Sequence, residues 1–238
     1  MVSQTAQAQP YRCSAVYRRH LGLGATMGEY HGWRTAMRFD SAEREQRSVR
    51  EGVGLADVSW LGKLDVRHAE QEWGGISDGI SAASGDSPVG GAGAPTAVPR
   101  RAWQLARGHA MVTCGPEERE YMAGAAAVSG NHVTDVTSVY GALLLAGPRG
   151  RDVLHKLTDL DVSPSAMPNE SAGQGGLAHV HAVVLRADLG DVPAYWLLVG
   201  REYGEYVWDA VTHAGGEHNI VSFGMDALDA LAPRRDAR

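Results

Sequence analysis

Two histidines spaced by one residue, His179 and His181, are the first feature able to do chemistry. Two imidazoles on one strand face can ligate a metal. That face would also carry Leu177, Val183 and Leu185, with no cysteine or carboxylate close in sequence. The pair is therefore read as exposed or hydrogen-bonded histidines. The run Gly22 to Gly28, GLGATMG, has the glycine density of a dinucleotide loop. It follows no apolar strand, and its glycines have the wrong spacing. Arg149 and Arg151 stand near a helix start that could meet an anion, but solvated or interface positions suit them better. Asp57, Ser59 and Lys63 crowd one turn, of the kind that short polar side chains close by bonding the backbone. Tyr140, Tyr195 and Trp196 fall at strand positions, where aromatic rings usually pack a core. No Ser-His-Asp or Cys-His nucleophile pattern rises above chance.

The chain that must position these residues has 238 of them, 44% hydrophobic and 21% charged, which is ordinary for a globular protein. Its net charge of −6 argues against a nucleic-acid or anionic-membrane footprint. Cys13 and Cys114 form no C-x-x-C pair, so neither a disulfide framework nor a zinc site is expected. The N-terminus lacks the basic start and apolar stretch of a signal peptide, and no apolar run approaches a membrane span. The expectation is a cytoplasmic protein that meets neither nucleic acid nor membrane.

Residues 1–24 read as an irregular lead-in, 25–232 as one domain and 233–238 as a tail. Ser41 is a helix N-cap, with Ala42, Gln46, Val49 and Val53 as the buried stripe, Gly52 as the stop and Glu43, Arg44 and Glu45 turned to solvent. GKLDVRH alternates as a half-buried antiparallel strand, placing Leu64 and Val66 inward and Lys63, Asp65 and Arg67 outward. Residues 74–99 are rich in Gly, Ser and Pro without periodicity and predict a mobile linker. GALLLAG (141–147), LAHVHAVVL (177–185) and YWLLV (195–199) read as strands, with ADLGD (187–191) as a turn between the last two. REYGEYVWDAVTHA reads as a helix whose stripe is Tyr203, Val207, Ala210, Val211 and Ala214, stopped at Gly215. Mixed strands and helices with a hairpin predict an α+β class.

Four segments in order resemble the aminomethyltransferase (glycine-cleavage T-protein) superfamily. They are HGWRTAMRF with SAEREQRSVREGVGLADVSWLGKLDVR (31–67), TDVTSVYGALLLAGPRGRDVLHKLTDLDV (134–162), YWLLVGREYGEYVWDAVTHAG (195–215) and FGMDALDAL (223–231). Within that superfamily, D-L-D-V-S-P (159–164) and L-L-V-G-R-E-Y-G-E-Y-V-W (197–208) are most similar to the gamma subunit of heterotetrameric sarcosine oxidases. The HGW segment looks more like the full transferases or the alpha subunit's C-terminal half. The resemblance implies a folate-binding fold of mixed antiparallel sheets with packed helices, lacking the family's C-terminal β-barrel domain.

The departures from the family pattern bear on function. Where the family has a G-G-x-x-D-D hairpin beside the reacting folate nitrogen, this chain has the Gly-rich stretch and AWQLARGHAMVTCG (102–115), with Asp78 of GGISDG as the one tempting substitute. The family's pterin-gripping glutamate accepts paired N–H bonds from an aminopyrimidine edge. Trp196 occupies its position, and an indole only donates. Leu228 and Ala232 stand where the family often has arginines.

The resemblance then implies a non-catalytic accessory subunit of a sarcosine-oxidase-like, N-methylamine-oxidising complex, packed against larger flavoprotein subunits. The alternative is a truncated tetrahydrofolate-dependent aminomethyltransferase, and a third is the same fold repurposed for another ligand. No catalytic or metal-ligating residue is assigned. Tetrahydrofolate is the cofactor that the resemblance implies, and Tyr140, Tyr195 and Trp196 are the residues expected to line any residual cavity.

Overall fold

A computed structural model describes residues 11–69, 73–86, 97–127 and 130–232. The chain builds three sheets. The first has β1 (Arg12–Cys13), β3 (Trp33–Arg38) and β2 (Thr26–Tyr30), in that order across the sheet. The second, of six strands, has the order β10 (Ser171–Leu177), β11 (Val180–Arg186), β12 (Ala194–Gly200), β9 (Tyr140–Ala146), β4 (Gly54–Asp57) and β13 (Val221–Ser222). The third has the order β6 (Arg101–Ala106), β7 (His109–Cys114), β5 (Gly62–Arg67) and β8 (His132–Asp135). Pairing is antiparallel except for β1 with β3 and β13 with β4. The helices are α1 (Tyr17–Gly22), α2 (Ala42–Glu51), α3 (Trp73–Asp86), α4 (Arg119–Ala126), α5 (Gly150–His155), α6 (Gly204–Gly215) and α7 (Met225–Leu231). This is the α+β arrangement expected.

The six-stranded sheet is buried on both faces, which is why GALLLAG and YWLLV are continuous apolar runs rather than alternating ones. One face, with Leu143, Leu145, Val184, Leu197 and Val199, packs beneath α5 and α6 through Val153, Leu154, Val207 and Val211. The other, with Leu144, Leu185, Trp196 and Leu198, forms the central core with Trp33, Trp60, Leu61, Trp103 and Phe223. A third cluster joins the four-stranded sheet to α3 and α4.

Several expectations are corrected. Trp73–Asp86 is a helix, not a linker. Ile76, Ile80 and Ala83, at i, i+4 and i+7, bury against Val66, Val112 and Met122, and that stripe offsets the weak helix propensity of the surrounding Gly and Ser. Residues 87–96 of the expected linker lie outside the described residues, while Ala97 and Val98 are buried. Of the expected irregular lead-in, residues 1–10 lie outside the described residues, and the rest is structured. Arg12 and Cys13 pair with β3, and α1 buries Val16 and His20. The tail 233–238 lies outside the described residues.

Ser41 caps α2 as expected, accepting from the Arg44 amide. Glu45 does not face solvent. It is buried, and its carboxylate accepts the amides of Phe39 (2.5 Å), Asp40 (2.8 Å) and Gly224 (2.9 Å). It thus ties the turn before α2 to the start of α7. Position 224 must be glycine, since an added Cβ would lie 2.2 Å from the Met37 carbonyl oxygen. Hydrogen bonds to a charged group contribute about 1.5–3 kcal/mol each, and stranded buried amides add a penalty. Glu45→Ala should therefore lower the unfolding free energy by about 3 kcal/mol, and Glu45→Gln by less, in urea denaturation.

Candidate functional site

The three aromatic residues do not line one cavity. Tyr195 and Trp196 are neighbours on β12, so the period of two sends them to opposite faces. Tyr195 lies under α5 and α6 with Arg186 above its ring, at 5.8 Å from the centroid. Trp196 is fully buried in the central core, opposite Leu144 of β9 and Leu185 of β11, and its indole N–H donates to the Ala187 carbonyl at 3.1 Å. Tyr140, half-buried, starts β9. Beside it Ser14, Trp33, Ser59 and Arg201 enclose about 10 Å³, the space of roughly one water.

A larger cleft of about 460 Å³ opens next to the Trp196 layer, between α3, the start of β6 and the turns around β10 and β11. Ala97, Val98 and Leu189 supply apolar lining. Its two carboxylates are already engaged. Glu170 pairs with Arg101 at 2.8 Å, and Asp188 pairs with Arg186 at 3.2 Å. Arg100, just behind, is held by both oxygens of the buried Glu118 at 2.9 and 2.7 Å. The hydroxyls of Ser81 and Ser84 donate to backbone carbonyls of their own helix. The hairpin β6–β7, standing where the resemblance would put an acidic G-G-x-x-D-D hairpin, thus opens on Arg100 and Arg101 instead of carboxylates. Asp78 is exposed on α3.

The turn of Asp57 and Ser59 is closed by side chains as expected. Asp57 accepts from the Ser59 amide (3.0 Å) and hydroxyl (2.6 Å), and Ser59 Oγ accepts from the Ala142 amide at 3.2 Å, joining the turn to β9. Lys63 departs from expectation. The chain buries it completely, because β5 is an interior strand with β7 and β8 on either side. Its Nζ donates to the Ser59 carbonyl at 3.0 Å. Burial pulls its pKa down to about 7, against an opposing pull from Asp57 and Asp135.

His20 went unnoticed in the sequence. It is buried, with Nδ1 4.0 Å from Asp57 Oδ2 and its ring edge-on to Phe39 and Trp208. Burial lowers its pKa, partly countered by Asp57. The only sequence signal was the i, i+4 pair Val16 and His20, too short a run to establish a period. His179 and His181 do not share a strand face. Ala178 and His179 form the two-residue turn between β10 and β11, both with positive φ (47° and 67°), and His181 points to solvent from β11. Arg149 and Arg151 are exposed at the start of α5, with Arg149 paired to Asp152 at 3.2 Å. No cluster of metal-ligating side chains occurs among the described residues. No helix among them is long and apolar enough to cross a membrane.

Comparison with known proteins places this geometry. The GCVT N-terminal domain family matches residues 103–233. Sarcosine oxidase subunit alpha of Rhizobium meliloti (strain 1021) is 28% identical over 218 residues, 81% of this chain and 21% of that protein. The aminomethyltransferase of Streptomyces coelicolor is 26% identical over 240 residues, 92% of this chain and 62% of that protein. The chain thus spans about a fifth of the former and under two thirds of the latter. Among solved structures, the glycine cleavage system aminomethyltransferase T from Bartonella henselae superposes with a TM-score of 0.69 at 16% identity, covering 92% of this chain and 61% of that one. A chain of the heterotetrameric sarcosine oxidase from Corynebacterium sp. U-96 superposes with a TM-score of 0.58 at 18% identity, covering 87% of this chain and 96% of that one. The fold is the aminomethyltransferase fold.

The buried lysine generates a prediction. Its folded pKa of about 7 lies below the ordinary 10.5, so the unfolded chain binds more protons between those values and stability rises with pH across that window. Lys63→Met should flatten this rise and stabilise the protein at pH 7, as measured by thermal unfolding from pH 7 to 10.

Proposed function

The chain belongs to the GCVT N-terminal domain family, and from that premise we propose that it is a non-catalytic, gamma-like accessory subunit of a sarcosine-oxidase-like complex that oxidises N-methylamines. Its partners are larger flavoprotein subunits, which hold the flavin and the folate site, and the complex is cytoplasmic.

Trp196 carries this reading. At the position where the resemblance puts a pterin-gripping glutamate stands a fully buried indole whose N–H is already bonded to Ala187. An aminopyrimidine edge presents donors, and an indole offers it no acceptor. The neighbouring cleft repeats the pattern, since its carboxylates Glu170 and Asp188 are each neutralised by an arginine. Tetrahydrofolate does not fit these residues. The oxidase chain from Corynebacterium sp. U-96 adds support. Its fold superposes over 87% of this chain and 96% of that one.

A second reading is a tetrahydrofolate-dependent aminomethyltransferase of the glycine-cleavage T-protein type. The match to the Streptomyces coelicolor aminomethyltransferase over 92% of this chain favours it. Isothermal titration with tetrahydrofolate separates the two. The accessory reading expects no heat of binding at millimolar ligand, and a saturable heat would overturn it in favour of the second. Native mass spectrometry of the protein from its own host should give a mass that includes flavin-bearing subunits. A free monomer would rule out the accessory role.

A further inference from the structure

We infer that α1, with the strand β1 that leads into it, is an acid-released latch on the rest of the fold, and that the buried pair of His20 and Asp57 is its trigger. Opening would bare the faces of Trp208 and Phe39 that His20 covers.

α1 has six residues, and no side chain caps its N-terminus. A helix that short is unstable without tertiary contacts. Its anchors are few. Val16, the N-cap residue, and His20 are each 1% exposed. β1 adds only the pairing of Arg12 and Cys13 with β3. The remaining ties lie at the surface, where Arg19 pairs with Asp209 of α6 and Arg201 donates to the Cys13 carbonyl at 2.7 Å. Exposed ion pairs contribute little. The segment is therefore built to open locally while the sheets stay closed.

One carboxylate faces two buried bases. Neither ring nitrogen of His20 has a hydrogen-bond partner among the described residues, and Nδ1 stops 4.0 Å from Asp57 Oδ2. The ring meets Trp208 of α6 and Phe39, the residue after β3. Nearby charges on those elements are spent elsewhere, Asp209 on Arg19, Arg38 on Asp226 and Arg34 over the Tyr11 ring. Asp57 is the charge that acts on His20, and it also gives the strongest pull on Lys63 against burial. Below about pH 7 Lys63 is protonated and draws on Asp57. A second proton, on His20, then enters a closed interior with no carboxylate left to balance it. In the open state the imidazole is solvated and takes that proton at the ordinary 6.5. The closed state thus keeps the whole contribution of neutral His20 above pH 6.5 and loses it as pH falls.

Hydrogen–deuterium exchange of the full chain, corrected for the intrinsic effect of pH on exchange, tests this. One proton taken up on opening changes the equilibrium by at most about tenfold per pH unit. Exchange of the α1 amides should therefore rise by up to about tenfold over the pH unit below 6.5, with β9 and β12 still protected. His20→Phe should abolish the rise. Lys63→Met leaves Asp57 free to pair with the imidazolium, and should move the rise to lower pH. Circular dichroism confirms folding, and if His20→Phe fails to fold, His20→Gln, neutral at every pH, carries the comparison. Constant α1 exchange, the same rise in the folded His20 variant, an unmoved profile in Lys63→Met, or loss of protection in β9 and β12 together with α1 each overturns the latch.

Discussion

The pairing of β9 with β12 holds the molecule together. Seven residues of each strand are matched in antiparallel register, from Tyr140 opposite Gly200 to Ala146 opposite Ala194. Nearly every side chain on both faces is buried, so the pair belongs to two cores at once. A shift of one residue would exchange the faces and send Trp196 under the helices and Tyr195 into the central layer. All other strands of that sheet are placed relative to this pair. β4 joins β9, and its continuation through Asp57 and Ser59 returns to β9 by way of the Ala142 amide. The central aromatic layer therefore has its composition fixed by register, and its chemical character follows from which residue of the Tyr195–Trp196 pair faces inward.

Much of this was legible in the chain. Continuous apolar runs gave β9 and β12, Ser41 and Gly52 gave the limits of α2, and four ordered segments gave the fold. What was illegible had specific physical causes. α3 hid because Ile76 and Ile80 are only two large apolar residues within a glycine- and serine-rich stretch, and composition outweighed their spacing. Lys63 and Glu45 were assigned to solvent by residue type, yet one sits on an interior strand and the other collects three backbone amides. Such burial depends on partners far away in sequence, Gly224 in one case and β7 with β8 in the other. The candidate site was half legible. That the Trp196 indole can only donate could be read directly, whereas the opposed directions of Tyr195 and Trp196 required the strand's period of two to be applied to them.

Three buried carboxylates share a pattern. Glu45, Asp57 and Glu118 each hold backbone amides, and Glu118 holds an arginine as well. A fold whose relatives include transferases has here turned these three carboxylates to internal bracing.

The β10–β11 turn makes a different demand. Two-residue hairpin turns with positive φ at both positions are favoured by Asn-Gly, which adopts left-handed backbone readily. This turn instead has alanine and histidine, at φ 47° and 67°. Each departs from its preferred conformation at a penalty of roughly 1–2 kcal/mol. A chain shaped for stability alone would carry Asn-Gly at the tip. Keeping alanine and histidine there means that the hairpin stores strain, and that relieving it by substitution would yield a more stable protein with a different surface at its tip.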